Sequence, residues 1–181
     1  MGSPSTRALA HRDRQAKILV VEDQHLVALD LKRRVENMGH SVTIAYSGEQ
    51  ALEQSATTAF DLVLMDIKLT GPIDGIEAAR TIHRSYDTPI IYVTAYADNQ
   101  TIERARTTEP YGYLVKPFQE RELKAAIEMA LQRHSSEKRR WEQQQLHTFL
   151  TEASARMAET LDYRGVAGAT AALVVPRYAD R

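Results

Sequence analysis

The sequence predicts an α/β fold built on a doubly wound parallel sheet. Short apolar runs of strand length alternate with segments whose apolar residues follow helical spacing, as they do in repeated strand and helix units. The runs are nearly continuous in hydrophobicity, which is typical of strands buried on both faces of a parallel sheet. Several runs also end on acidic, hydroxyl or basic residues, so one edge of the sheet is expected to carry polar groups.

Five strands are predicted, each followed by a helix, which makes a (βα)5 unit. Leu31 and Val35 follow helical spacing in the first helix, and Gly39 takes the position of its C-terminal cap. Asp74 and Gly75 precede a later helix. Because crossovers are right-handed, few topologies remain, and the flavodoxin-like strand order 2-1-3-4-5 is expected. The predicted strands span residues 18–21, 41–46, 61–65, 89–94 and 111–116.

Composition excludes several classes of protein. Hydrophobic residues make up 43% of the 181 residues, yet no window approaches the roughly 20 apolar residues of a membrane span. The net charge of -1 provides no overall field for nucleic acid, so neither a membrane nor a nucleic-acid partner is expected. There are no cysteines, which excludes disulfides and thiolate chemistry and fits a cytoplasmic location. Residues 1–16 lack the apolar core of a signal peptide and are expected to form a flexible arm.

The character of the chain changes after Leu131. No Gly or Pro occurs in residues 135–162, so the last helix of the domain is expected to continue there as a long helical extension. Apolar residues recur in it at intervals of four, three and four, at Leu146, Leu150, Ala153 and Met157. This heptad-like spacing predicts a coiled-coil-like signalling helix, and the alternative is a surface helix that pairs with nothing.

Polar side chains occupy the carboxyl ends of four predicted strands: Glu22 and Asp23, Asp66, Thr94, and Lys116. These ends meet at one edge of a parallel sheet, where doubly wound folds bind their ligands. A lone carboxylate there is usually a cap or a loop residue. Three neighbouring carboxylates repel one another, however, and Mg²⁺ relieves that repulsion. The set has the parts of a phosphoryl-transfer site, with Asp66 as the best nucleophile and Glu22 and Asp23 as metal ligands.

Five motifs carry a family resemblance. ILVVED, DLVLMDIKL, DGIEAAR, IIYVTAY and YGYLVKPF, in this order, resemble the receiver domain of two-component response regulators, over residues 17–134. The resemblance implies that Asp66 accepts a phosphoryl group from a phosphohistidine on a sensor histidine kinase or phosphotransfer protein. It also implies a regulatory phosphoacceptor that catalyses its own phosphorylation and dephosphorylation, and not an enzyme with a separate substrate.

The same resemblance implies a set of metal ligands. Asp23 would ligate Mg²⁺ directly, together with Asp66 and the backbone carbonyl of Lys68. Glu22 would help through water, and Mn²⁺ is a possible substitute for Mg²⁺.

Further positions are implied to bind and report the phosphoryl group. Lys116, the Thr94 hydroxyl and the Ala95 backbone would contact its oxygens. Thr94 and Tyr113 would form a switch, in which the ring swings inward as the hydroxyl moves. The peptide bond between Lys116 and Pro117 is expected to be cis, at the modest cost of an X-Pro bond.

The chain departs from the family pattern in the loop after the phosphoacceptor. The common pattern has a proline four residues beyond the aspartate, where this chain has Thr70, and the stretch LTGPIDG is one residue longer. Lys68 and Tyr96 occupy positions that influence the access of hydrolytic water in the family. Loop geometry and phosphoryl lifetime are therefore expected to be specific to this chain.

A second resemblance concerns the far end. The stretch FLTEASARMAETLDYRGVAGATAALVVPRYADR resembles the opening of GAF domains, so residues 163–181 are expected to begin a truncated GAF-like domain. The output activity would then lie elsewhere, and a full-length parent could carry a kinase or phosphatase. A homodimer is expected through the face formed by helix 4, strand 5 and helix 5, and through the C-terminal helix.

Two alternative functions remain open. A degenerate receiver would serve only as a protein-interaction or dimerisation module, although every site position is intact. A phosphatase of the haloacid dehalogenase type also uses an aspartate nucleophile, Mg²⁺ and a lysine. Such enzymes need a second aspartate two residues after the nucleophile, and here that position is Lys68.

Overall fold

The computed structural model describes residues 15–95 and 99–174, without the side chains of Asn99 and of residues 157–174. Nearly all of the predicted N-terminal arm therefore lies outside the described residues, and so do Tyr96 and residues 175–181.

Five parallel strands form one sheet in the order β2-β1-β3-β4-β5, which is the predicted order. Strand β1 pairs with strands on both sides, so that Ile18 lies opposite Val42 of β2 and Leu62 of β3. Each strand falls within two residues of its predicted limits because the apolar runs that form the strands are short and clearly bounded. The strands are β1 (Lys17–Val21), β2 (Ser41–Ala45), β3 (Leu62–Asp66), β4 (Ile90–Thr94) and β5 (Gly112–Val115).

A helix follows each strand, and side-chain caps fix where two of the helices begin. Ser47 Oγ accepts a hydrogen bond from the Gln50 amide at 3.2 Å, and Asp74 Oδ1 accepts one from the Glu77 amide at 2.9 Å. Each cap satisfies a backbone donor that the first turn leaves unpaired. The helices are α1 (His25–Asn37), α2 (Gly48–Thr57), α3 (Gly75–Tyr86), α4 (Asn99–Arg106) and α5 (Glu120–Val174).

Alternate strand residues supply two apolar cores, one on each face of the sheet. On one face the strands pack against α2, α3 and α4, through residues such as Val63, Met65, Ala79, Ile82 and Ala105. On the other face they pack against α1 and α5, through residues such as Ile18, Leu64, Val35, Leu123 and Ile127. Helices on both faces bury the sheet, which explains the nearly continuous hydrophobicity of its strands.

The chain divides into two compact units between His134 and Ser135, and helix α5 belongs to both. The backbone remains helical to Val174, beyond residue 162, where the sequence places the end of the signalling helix. Residues 163–174 contain four alanines and no proline, which favour the helix, although Gly165 and Gly168 each weaken it by about 1 kcal/mol relative to alanine. The GAF-like start at residue 163 stays a prediction. No helix in the described ranges combines the length and apolar character needed to cross a membrane.

Candidate functional site

The predicted polar residues lie together at the carboxyl edge of the sheet. Glu22 and Asp23 follow β1 directly, Asp66 and Thr94 are the last residues of β3 and β4, and Lys116 follows β5. All five strands point the same way, so their ends face the same edge. The edge of the sheet therefore collects three carboxylates, a hydroxyl and an ammonium.

Lys116 is the centre of this cluster. Its ammonium donates hydrogen bonds to Asp66 Oδ2 at 2.8 Å and to Glu22 Oε2 at 2.5 Å. The side chain of Lys116 is 18% exposed, against 9% for Asp66 and 1% for Glu22. Buried carboxylates without a counter-charge are strongly unfavourable, so the ammonium makes it possible to hold two of them side by side.

The pKa values of Glu22 and Lys116 are shifted by burial and by their contacts with each other and with Asp66. Burial raises the pKa of Glu22, and the neighbouring Asp66 charge raises it further, although the hydrogen bond from Lys116 lowers it. For the Lys116 ammonium, burial lowers the pKa, but hydrogen bonds to Asp66 and Glu22 outweigh that effect and the net pKa is raised. Lys116 is therefore held firmly in its charged form.

The backbone around Asp66 is tightly packed. Its Oδ1 accepts a hydrogen bond from the Lys68 amide at 2.9 Å, so both carboxylate oxygens have donors. Gly75, the first residue of α3, lies against the Asp66 backbone, because a Cβ built on Gly75 would come within 1.8 Å of the Asp66 carbonyl oxygen. Only glycine permits this close approach, which sets the position of Asp66 relative to helix α3.

Two further acidic oxygens at this edge accept hydrogen bonds from backbone amides. Asp23 Oδ2 accepts from the Thr70 amide at 3.1 Å, and Glu22 Oε1 accepts from the Gln24 amide at 3.4 Å. Thr70 lies in the loop between β3 and α3. The end of β1 is thus joined to the loop that follows Asp66.

The donor set can be compared with what Mg²⁺ requires. In the described ranges no three carboxylate or imidazole groups come together as a metal-binding cluster. Mg²⁺ keeps several waters and is usually held by only one or two carboxylates, so Asp23, Asp66 and the Lys68 carbonyl fit its needs. The two oxygens of Glu22 accept from Lys116 and Gln24, just as those of Asp66 accept from Lys116 and Lys68.

The residues predicted to bind the phosphoryl group lie beside the cluster. Thr94 is 3% exposed, and its backbone carbonyl accepts a hydrogen bond from the Lys116 amide at 2.8 Å. Ala95 follows it at the surface. The peptide bond between Lys116 and Pro117 is cis, the isomer that the resemblance implies. The roles of Thr94, Ala95 and Lys116 stay predictions.

Tyr113, the predicted switch ring, lies in the middle of β5 and is 38% exposed. Its ring stacks on that of Tyr92, with 5.7 Å between centroids and an angle of 29°. Tyr92 is fully buried in β4 and its hydroxyl is 2.9 Å from Thr108 Oγ1. The Tyr113 ring therefore lies at the surface, against a fixed aromatic neighbour.

Three contacts of this site were not predicted from the sequence: the close approach of Gly75 to Asp66, the Thr70 amide on Asp23, and the stacking of Tyr113 on Tyr92. The Asp-Gly pair at the start of α3 was a signal for the first, since glycine often marks close backbone contact. A tyrosine on each of two neighbouring strands was a signal for the third, because aromatic side chains opposite each other on paired strands pack together. No sequence signal reports a backbone amide contact such as the second.

The family match lies within the first compact unit of the chain. The family model described as the response regulator receiver domain matches residues 18–128. The transcriptional regulatory protein PdtaR of Mycobacterium tuberculosis is 37% identical over 134 residues, which are 74% of this chain and 64% of that protein. The response regulator ArlR of Staphylococcus saprophyticus is 38% identical over 120 residues, 65% of this chain and 53% of that protein. The chain thus spans less than two thirds of the length of these relatives.

Solved structures resemble the same part of the chain. The signal receiver domain of a modulated diguanylate cyclase from Desulfovibrio desulfuricans G20 has a TM-score of 0.66 and 34% identity, and covers 68% of this chain and 99% of that one. A CheY-like receiver domain protein from Methanospirillum hungatei has a TM-score of 0.65 and 27% identity, and covers 68% of this chain and 99% of that one. With five parallel strands, the acidic edge and these matches, the chain belongs to the response regulator receiver domain family.

Proposed function

We propose that this chain is the phosphoacceptor receiver of a two-component phosphorelay, and that Asp66 takes the phosphoryl group. The observation that carries the proposal is the Lys116 ammonium, held 2.8 Å from Asp66 Oδ2 and 2.5 Å from Glu22 Oε2. A lysine fixed between two buried carboxylates provides positive charge at the point where a phosphoryl group brings negative charge. The donor would be a phosphohistidine on a sensor histidine kinase or phosphotransfer protein.

The reaction is the transfer of a phosphoryl group to a carboxylate oxygen of Asp66. The phosphorus–nitrogen bond of the phosphohistidine breaks, its electron pair returns to the imidazole, and a phosphorus–oxygen bond to Asp66 forms. Lys116 then pairs with phosphoryl oxygens in place of the Asp66 carboxylate, which it contacts in this structure. The Thr94 hydroxyl and the Ala95 amide would bind the remaining oxygens. Attack by water on the acyl phosphate would later restore Asp66.

Mg²⁺ belongs to this proposal as a cofactor, with Mn²⁺ as a possible substitute. Asp23, Asp66 and the Lys68 backbone carbonyl would hold the ion, and Glu22 would act through water. When bound, the ion would neutralise charge on the transferred group. The acidic residues that would hold it already lie at one edge of the sheet, joined to the β3–α3 loop through the Thr70 amide.

Phosphorylation would change the surface of α4, β5 and α5. In the proposed switch, the phosphoryl group draws the Thr94 hydroxyl toward it, and the Tyr113 ring occupies the space that is released. Tyr113 is well placed for this because it is partly exposed and contacts Tyr92 on the neighbouring strand. A charge added at one end of the sheet would thus become a change of shape on an outer face.

The proposed output route runs through helix α5 and a homodimer. Apolar side chains on its second part are well exposed, at Trp141, Leu146, Phe149 and Leu150. Pairing with the same helix of a second chain, in a coiled coil, would bury them. A GAF-like continuation, the activity of a longer parent protein and a cytoplasmic location stay predictions.

Intact-mass spectrometry tests the proposal. After incubation with Mg²⁺ and acetyl phosphate, the wild-type chain should gain one phosphoryl group. Asp66→Asn and a sample with excess chelator should gain none. If the wild-type chain stays unmodified under conditions that modify another receiver domain, the chain is a degenerate receiver and the proposal is wrong.

A further inference from the structure

The loop between β3 and α3 contains a contact that the common family pattern does not allow. Receiver domains of that pattern have a proline where this chain has Thr70, and proline has no backbone N–H. Here the Thr70 N–H donates to Asp23 Oδ2, 3.1 Å away and 47 residues earlier in the chain. The Thr70 side chain itself is exposed, so the contact depends on the backbone of this residue.

The course of the loop supports this contact. Gly71, which follows Thr70, has a φ of +127°, a conformation that other residues rarely adopt. Leu69, which precedes Thr70, is buried in the core between the sheet and α3. A buried anchor on one side and a glycine turn on the other hold Thr70 beside Asp23.

We infer that the Thr70 N–H is a positioning group for Asp23 in the binding of a divalent cation, and the inference rests on the proposed function. A carboxylate that accepts a hydrogen bond through Oδ2 can still ligate Mg²⁺ through Oδ1, with its orientation already set. Outer donors of this kind orient metal ligands, and removing one typically lowers metal affinity about tenfold or more. In this chain the outer donor is the backbone amide of Thr70, in the loop between β3 and α3.

The inference predicts a clear difference between two substitutions at one position. Thr70→Pro removes the N–H, whereas Thr70→Ala keeps it and removes only exposed side-chain atoms. A third variant replaces the Thr70 amide nitrogen by an ester oxygen through semisynthesis, which removes the donor without adding a proline ring. Because a proline also restricts the residue before it, the ester variant decides the case if Thr70→Pro fails to fold.

The measurement is Mg²⁺ affinity by isothermal titration calorimetry, with no phosphodonor present and folding checked by circular dichroism. We expect Thr70→Pro and the ester variant to bind Mg²⁺ about tenfold more weakly than wild type, and Thr70→Ala to bind as wild type does. The inference would be overturned if the ester variant bound Mg²⁺ as tightly as wild type or more tightly, or if Thr70→Ala weakened binding as much as the ester does. Either result would leave the proposed function standing. If wild type itself binds no Mg²⁺, the magnesium part of the proposed function fails, and the inference is overturned with it.

Discussion

Leu123 and Leu150 lie on the same continuous helix but in opposite surroundings. Leu123 is 0% exposed and packs in the core beneath the sheet, whereas Leu150 is 55% exposed. The boundary between the two compact units, after His134, separates them. In the first region the buried apolar residues of α5, such as Leu123 and Ile127, pack against the sheet, although Met129 on the same part of the helix is 70% exposed. In the second region the exposed apolar residues of α5 form the surface that is proposed to bind a second chain.

The two regions differ in whether their proposed roles need a second chain. The first region holds the sheet and the acidic edge, so the proposed phosphoryl acceptance involves residues of this part of the chain. The described large apolar residues of the second region, Trp141, Leu146, Phe149 and Leu150, are exposed on a segment with heptad-like spacing. The proposed output route through this segment therefore depends on a partner, because exposed apolar patches mark interaction surfaces.

The largest expected effect comes from shortening the two leucines. Leu123→Ala should lower the free energy of unfolding by about 2–5 kcal/mol, because it leaves a cavity in a packed core. Leu150→Ala should change it by no more than about 0.5 kcal/mol in the monomer, because the side chain is already exposed. Urea titration followed by near-ultraviolet circular dichroism, at a concentration where sedimentation shows monomers, measures both. A loss for Leu150→Ala as large as that for Leu123→Ala would contradict the comparison.

The dimer proposal is tested with the same pair of variants at higher concentration. Sedimentation equilibrium should show weaker self-association for Leu150→Ala than for wild type, both with and without phosphorylation. If wild type remains monomeric in both states, pairing through the C-terminal helix is wrong.

A smaller effect is expected from two glycines of the first region. A methyl group on Gly75 would meet the Asp66 carbonyl oxygen at 1.8 Å, whereas one on Gly112 would lie 3.9 Å from Ile91 Cγ1. Gly75→Ala should therefore destabilise the fold by about 1–3 kcal/mol through overpacking, and it should slow phosphorylation by displacing Asp66. Gly112→Ala is the matched control and should leave both properties nearly unchanged. Urea titration and intact-mass kinetics measure them, and a phosphorylation rate unchanged in Gly75→Ala would contradict the proposed positioning.

The smallest expected effect is on the pH dependence of stability, through Tyr92, the residue on which the Tyr113 ring stacks. Burial raises the pKa of Tyr92 from 10.0 to about 12. The unfolded chain then releases this proton at lower pH than the folded chain, so stability is complete below pH 10 and falls as the pH rises toward 12. The loss is on the order of 2 kcal/mol. Urea titrations between pH 9 and 11.5 should show a steeper loss for wild type than for Tyr92→Phe, and equal slopes would contradict a buried Tyr92 hydroxyl.

The fold could be read from the sequence because its signals are local. Apolar runs of strand length and the Asp74-Gly75 pair before α3 act within a few residues, and the crossover rule turns the order of the elements into a topology. The backbone of α5 is helical to Val174, so the predicted division of the chain at residue 162 does not coincide with a helix end and stays a prediction.

The members of the site could be predicted, but most of their contacts could not. Asp66, Glu22 and Lys116 lie at one edge because each is at the end of a strand. The alternation of strands and helices makes the strands parallel, so their ends face the same edge. Lys116 contacts Asp66 across strand β4 and Glu22 across strands β4 and β3, which depends on the conformation of a long side chain. The Thr70 amide on Asp23 joins segments far apart in sequence through a backbone group, which no residue type identifies.

The central claim is that Asp66 is the residue that carries the phosphoryl group. Borohydride reduces an aspartyl phosphate to homoserine, so reduction of the acetyl phosphate-treated protein marks the modified residue permanently. Tandem mass spectrometry of the peptide that contains DLVLMDIK should place homoserine at position 66, and not in a sample treated with chelator. A mark at Asp23, Asp61 or another carboxylate, with position 66 unmodified, would contradict the account.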